Sequence, residues 1–245
     1  MYCAGSPVKF VDPDGRKFTE GSEEHVQKVV DYADRRITLL VGKNAEMQSK
    51  INNGVSSRRL ARLSRKIKNN NSLISQYQEA KSEISVLRNS TQLYSVSLSD
   101  DLSKIDPNGL ENEYRGATKF DVSSSTVNIV APKSGGCTIG LLAHELKHAY
   151  QFETGAFNLG FGFSLYDIQD EVEAYYRGHL FGADNKSLMA INSQYYYLPK
   201  SEQRCISTSM PLPENRTHGA LQNAADQRGA VFRYNGTTYV SKKLL

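Results

Sequence analysis

Residues 138–152 read TIGLLAHELKHAYQF, and the reading of this stretch decides what the rest of the chain is for. Leu141, Leu142, Leu146 and Ala149 supply apolar contacts and no proline interrupts them. Thr138 stands where a cap is wanted and Gly155 where a helix can stop, so the segment predicts one helix. On that helix His144 and His148 lie four residues apart, one turn from each other on one face, so both imidazoles can reach a single cation. Glu145 then faces the open position beside that cation. With five histidines in the chain, such a triplet arises by chance on the order of half a percent of the time, which makes coincidence a poor account of it.

Composition bounds the alternatives. A chain of 245 residues can bury a sizeable core, either as one domain with an appendage or as two small ones. Apolar residues at 39% and charged residues at 23% fit a globular protein, and a net charge of +4 does not by itself direct the chain to nucleic acid or to a membrane surface. No uninterrupted apolar run reaches the length of a membrane span. The opening MYCAGSPVKF lacks the basic start and apolar middle of a signal peptide, so export is expected to use another route or another part of a larger protein. Cys3, Cys137 and Cys205 are odd in number and far apart, which argues against a disulfide framework, and Cys137 is expected to be a small buried residue.

In chain order, three regions stand out: 1–15, 16–100 and 101–245. The first contains Pro7, Val8, Phe10, Val11, Asp12, Pro13, Asp14 and Gly15, a strand-and-turn pattern that resembles the closure of the core in rearrangement-hotspot (RHS) repeat proteins, after which a variable C-terminal toxin follows. The second is helical. Ser22, Glu23 and Glu24 make a helix start ahead of a stripe of Val26, Val29, Val30, Ala33, Ile37, Leu40 and Val41. A second helical stretch carries Leu60, Leu63 and Ile67, and a third Leu73, Ile74, Tyr77, Ile84 and Leu87, so a hairpin or small bundle is expected. Arg58, Arg59, Arg62, Arg65 and Lys66 accumulate there without acidic neighbours or interleaved aromatics, which reads as a solvated helix face rather than a phosphate-binding surface.

The third region opens with a turn at Asp106 to Gly109. A β-hairpin follows, from the runs 117–122 and 126–130 around a serine tract, and then the histidine helix. A further helix is expected after a cap at Asp167, reading DIQDEVEAYYRGHL. The chain closes with a tyrosine cluster at 195–197, a short helix near Leu221 and a hairpin whose Asn235-Gly236 favours a type I′ turn.

The order of hairpin, HELKHAY helix and downstream E-x-x-A helix resembles the effector zinc metallopeptidases, a group that includes secreted proteases acting on host signalling kinases and toxin domains at the ends of RHS proteins. The resemblance covers about 117–182. It implies an α+β, zincin-like metallopeptidase core with an N-terminal helical region, a Zn2+ cofactor, and a third ligand from the second helix. The metzincin variant does not apply, because Gln151 and Thr154 occupy the places of its glycine and third histidine. Asp170, Glu171, Glu173 and His179 are the candidates. Glu171 is favoured because Ala174 and Gly178 share its face and would let the two helices approach, whereas Glu173 is expected to point nearly the opposite way. Lys147, charged where such helices usually carry uncharged residues, is expected to point to solvent.

The function implied is a zinc-dependent endopeptidase acting as a secreted toxin or effector. His144, His148 and Glu171 would hold the metal, Glu145 would act as general base, and Tyr175, His179 or His218 would donate to the oxyanion. Its partners would be a protein or peptide substrate in a target cell and a cognate immunity protein, with no nucleic acid and no membrane span. The competing reading is a non-catalytic, zinc-stabilised binding module that works through the basic helical region. The intact Glu145 speaks against it, since a closed structural site has no use for a general base.

Overall fold

The computed structural model describes residues 18–101, 116–134, 137–156, 158–159, 168–183 and 212–245. The segment 1–15, the turn at 106–109, Asp167 and the tyrosine cluster lie outside the described residues. Within them the chain is α+β, with five helices and two three-stranded sheets.

Helix α1 (Ser22–Asn52) buries Val26, Val29, Val30, Ala33 and Leu40 along the expected stripe. Its first residue does not cap it. The Ser22 hydroxyl instead accepts from the Val96 N–H at 2.8 Å and meets the Thr19 hydroxyl at 2.6 Å, which ties the helix start to strand β1 (Leu93–Leu98). The two helical stretches expected further on are one helix, α2 (Ser57–Arg88). Its asparagine run does not break it, because the amides find partners across the hairpin: Asn70 Nδ2 donates to Asn44 Oδ1 at 2.8 Å and Asn44 Nδ2 to Asn71 Oδ1 at 2.7 Å. No residue between Leu40 and Leu63 is buried, and Arg58, Arg59, Arg62, Arg65 and Lys66 are all exposed, as a solvated face would be.

Strand β1, which the sequence reading passed over, pairs parallel with β3 (Thr126–Ala131), and β2 (Ala117–Asp121) pairs antiparallel on the other side of β3. The serine tract is the turn between them: the Asp121 carboxylate accepts from the Ser123 N–H and from the hydroxyls of Ser123 and Ser124. Helix α3 (Thr138–Thr154) starts after Cys137, which is partly exposed, and ends at Gly155 with φ 78°. Then come β4 (Asn158–Leu159), α4 (Ile168–Leu180) and α5 (His218–Arg228). The closing hairpin is β5 (Val231–Tyr234) and β6 (Thr237–Val240), with β4 on the outer side of β5. Asn235 and Gly236 both have positive φ, as a type I′ turn requires.

One apolar core runs from Phe18, Val29 and Leu87 through Tyr94 and Ile129 to Leu142, Phe152 and Val231. It therefore crosses residue 100, the expected edge between the helical and zincin-like regions. Polar ties reinforce it: Glu153 accepts from the Ser90 and Tyr94 hydroxyls with one oxygen and from Arg233 with the other, joining α3, β1 and β5.

Helices α3 and α4 meet through glycines. A Cβ on Gly140 would lie 2.3 Å from the Ala183 nitrogen and 2.8 Å from the Gly178 carbonyl oxygen, so nothing larger fits without moving backbone. Gly140→Ala is expected to cost about 1–3 kcal/mol, which for a chain of this size lowers Tm by several degrees (about 2–4 °C per kcal/mol). Gly219→Ala on α5, where a Cβ meets nothing within 4 Å, should leave Tm unchanged or slightly higher. Calorimetry on the two variants checks the contrast, and equal melting would contradict the packing described here.

Candidate metal centre

Helix α3 is buried on most of its circumference, with Leu142, Leu146, Ala149 and Phe152 in the core and His144, Glu145, Lys147, His148 and Gln151 also covered. Burying that many polar groups demands partners, and each of these five has one. The ring nitrogens Nε2 of His144 and His148 face one another at 3.1 Å. From α4, Glu171 brings Oε1 to 3.3 Å from His148 Nε2 and Oε2 to 3.8 Å from His144 Nε2. Four ligands about 2.0–2.1 Å from a zinc ion stand about 3.3–3.4 Å apart along the edges of their tetrahedron, so this triangle is close to three corners of one. Among the described residues it is the one group of histidine, cysteine or acidic side chains that could hold a metal ion. Both rings are also held from behind. The Nδ1 of His148 lies 2.9 Å from Gln151 Oε1, and His144 is hydrogen-bonded to the Ala174 main chain.

The electrostatics follow from burial and proximity. Burial, with the charge of His148 beside it, holds His144 well below the usual imidazole range. Burial would lower His148 too, but the Glu171 carboxylate, helped by Glu145 and Gln151, outweighs it and raises that ring. Burial raises the Glu145 carboxyl to about 7, in the range where a group both takes and gives protons near neutral pH. A bound divalent cation would favour the ionised form.

Glu145 is bracketed by strand β2. The Thr118 hydroxyl donates to Glu145 Oε2 at 2.9 Å, and a Cβ on Gly116 would lie 2.6 Å from Glu145 Oε1. Gly116 is the residue just before β2 and Thr118 is the second residue of that strand, and both lie against the same carboxylate. Strand β2 is at the end of its sheet, in the order β1-β3-β2.

The other expected site residues are placed as follows. The Tyr175 ring packs edge-on against His144 with centroids 4.5 Å apart, so this oxyanion candidate adjoins the cluster. His179 is exposed with Nδ1 3.3 Å from the Ala183 carbonyl, and His218, exposed at the start of α5, packs on Tyr239. Neither is brought to the triangle. Asp170 is buried, and its carbonyl accepts from Gln151 Nε2 at 3.1 Å. Two orientations differ from expectation. Glu173 turns toward α3, with Oε2 3.3 Å from Gln151 Nε2 and 3.5 Å from Lys147 Nζ. Lys147 is not in solvent: it is 8% exposed and donates to Glu83 of α2 at 2.8 Å. Arg177 of α4 also donates to Glu83, so one buried carboxylate takes cations from two helices. That neutralisation explains how a lysine is tolerated inside this motif.

The sequence reading did not single out Gly116, Thr118, Glu83 or Gln151. Gln151 was legible in principle, three residues after His148 on the same helical face; Glu83 was not, because its partner is 64 residues away. Comparison with known proteins does not name the site: no family model matches the chain, and no curated protein and no solved structure matches it.

The geometry separates the two acidic candidates on α4. Glu171→Ala is expected to weaken zinc affinity by orders of magnitude, while Glu173→Ala, which touches Lys147 and Gln151 rather than the triangle, is expected to change it far less. Dissociation constants measured by competition with a chromophoric chelator decide this; retention of tight binding by Glu171→Ala would remove it from the ligand set.

Proposed function

We propose that this protein is a zinc-dependent endopeptidase with a zincin-like catalytic core, and that it acts as a secreted toxin or effector. The observation that carries the reading is the meeting of His144, His148 and Glu171 within 4.8 Å of one another, with Glu145, the residue next to His144, held alongside by β2. Three protein ligands and an open position are the composition of a catalytic zinc site, whereas a structural one is closed by a fourth. The donor set, two imidazoles and a carboxylate, suits zinc.

Bound there, zinc supplies Lewis acidity toward a carbonyl oxygen and a water acidified into the neutral range. The chain's own residues do the rest. Glu145 takes the proton of the attacking water and delivers it to the leaving amine nitrogen, so that the C–N bond breaks with both new ends neutralised. Thr118 keeps the carboxylate on the side from which it can do this, and Gly116 leaves room for it. Strand β2, last in its sheet among the described residues, is placed to offer backbone hydrogen bonds to an extended peptide, which would lay the scissile bond beside the triangle. Of the three candidate donors, Tyr175 is the one brought against the triangle, its ring packed on His144, and it is assigned the oxyanion role. The toxin or effector role rests on the sequence resemblances of 7–15 and 117–182, and it brings with it a target-cell protein as substrate and a cognate immunity protein as partner.

Purified protein is expected to contain about one zinc per chain and to cleave a mixed peptide library. Glu145→Gln should keep the zinc and lower cleavage by about 10²–10⁴-fold, the usual contribution of a positioned general base. His144→Ala or His148→Ala should lose the metal. Near-normal turnover by Glu145→Gln would refute the mechanism; zinc-loaded wild type with no cleavage of any peptide would favour the binding-module reading.

A further inference from the structure

Gln151 makes three polar contacts beside the triangle. It is 3% exposed, and its one acceptor oxygen and one donor nitrogen face opposite neighbours. Oε1 lies 2.9 Å from His148 Nδ1, and Nε2 lies 3.1 Å from the Asp170 carbonyl oxygen and 3.3 Å from Glu173 Oε2. The amide oxygen can only accept, so the proton of that bond sits on Nδ1 of His148. The lone pair available for coordination is then the one on Nε2, which is the atom in the triangle. The amide nitrogen can only donate, so its bonds run to Asp170 and Glu173, the residues on either side of the Glu171 backbone turn.

We infer that Gln151 is a positioning residue that holds two ligand side chains at once: His148 through the ring nitrogen turned away from the site, and Glu171 through the Asp170 carbonyl immediately before it. The inference deepens the metal-site reading above and rests on it. The chemistry restricts what can stand at this position. A glutamate would keep the acceptor for His148 and lose the donor to Asp170. A leucine would lose both at similar size, and an asparagine, one methylene shorter, would not span the two. Spacing supports the assignment: three residues after His148 on a helix is the position from which a side chain reaches the back of that ring. Lys147, 3.5 Å from Glu173, offsets the charge that Gln151 shares there, so the amide is not itself required as a counter-ion.

Partners of this kind behind a ligating imidazole are worth about 10–100-fold in metal affinity. Zinc affinity by chelator competition and the exchange-protected Nδ1–H proton of His148 by NMR are to be measured on wild type, Gln151→Leu and Gln151→Glu at one pH. Gln151→Leu should bind zinc 10–100-fold more weakly and lose the protected Nδ1–H signal. Gln151→Glu should keep the signal and recover part of the affinity, a rescue that loss of packing alone would not give. Wild-type zinc affinity, or a retained Nδ1–H signal, in Gln151→Leu would overturn the inference. Should that variant not fold, loss of the signal in Gln151→Glu would overturn it equally. Failure of the wild type to bind zinc would sink the metal reading instead, while the Nδ1–H signal of metal-free protein would still report on the bond to Gln151.

Discussion

The approach of α4 to α3 is the constraint on which the rest depends. At their crossing, Gly140 and Gly178 let backbone lie against backbone, and Ala174 is fully buried one turn earlier. Only at that separation does a carboxylate as short as that of Glu171 reach both imidazoles on the neighbouring helix. A single methyl group at the crossing would lengthen the two distances from Glu171 to the imidazoles, while the spacing of the histidines along their own helix would stay as it is. Side-chain length and interaxial distance are therefore matched, and the small residues on α4 serve the acidic one on the same face.

The second constraint is electrostatic. The underside of α3 carries Lys147 into the interior, and α4 carries Arg177 to the same place; Glu83 of α2 receives both. Leaving either cation without that carboxylate would cost several kcal/mol, because an unpaired buried charge is far more expensive than a paired one. The long helical hairpin is thus joined to the histidine helix by charge as well as by the apolar core. The Tyr77 hydroxyl, also on α2, adds a hydrogen bond at 2.7 Å to the Leu180 carbonyl at the end of α4.

What could be read in advance was whatever is local in sequence. The periodicity of 138–152, the stop at Gly155, the two runs around the serine tract and the Asn235-Gly236 turn are properties of a few adjacent residues, and the structure has the corresponding helix and hairpins. The meeting of His144, His148 and Glu171 was legible because i, i+4 geometry handles the first two and small residues point out the face of the third. What escaped depended on distant partners. Lys147 looks like a surface residue until Glu83 is known, Glu173 leans toward α3 to meet Lys147 and Gln151, and β1 was missed because its LYSVSL alternation is short and follows a long helix. The stretches around Leu63 and Tyr77 were read as two helices, and they are one because the asparagines between them find their partner, Asn44, across the hairpin.

The tie between α2 and α4 also sets an order of events in synthesis. Glu83 and Arg177 are 94 residues apart, and Thr91 and Arg233, bonded at 3.0 Å, are 142 apart. Closures of that length come late in folding. At translation rates of about 5–20 residues per second, roughly 5–20 s pass between the emergence of α2 and that of its cationic partner on α4. For the first part of that interval, before Lys147 emerges 64 residues after Glu83, the hairpin presents an apolar stripe with an acidic residue in its midst. A charge set within an exposed apolar segment disfavours its association with like segments, so the carboxylate that later pairs Lys147 and Arg177 is also the one that keeps the bare stripe from being wholly apolar.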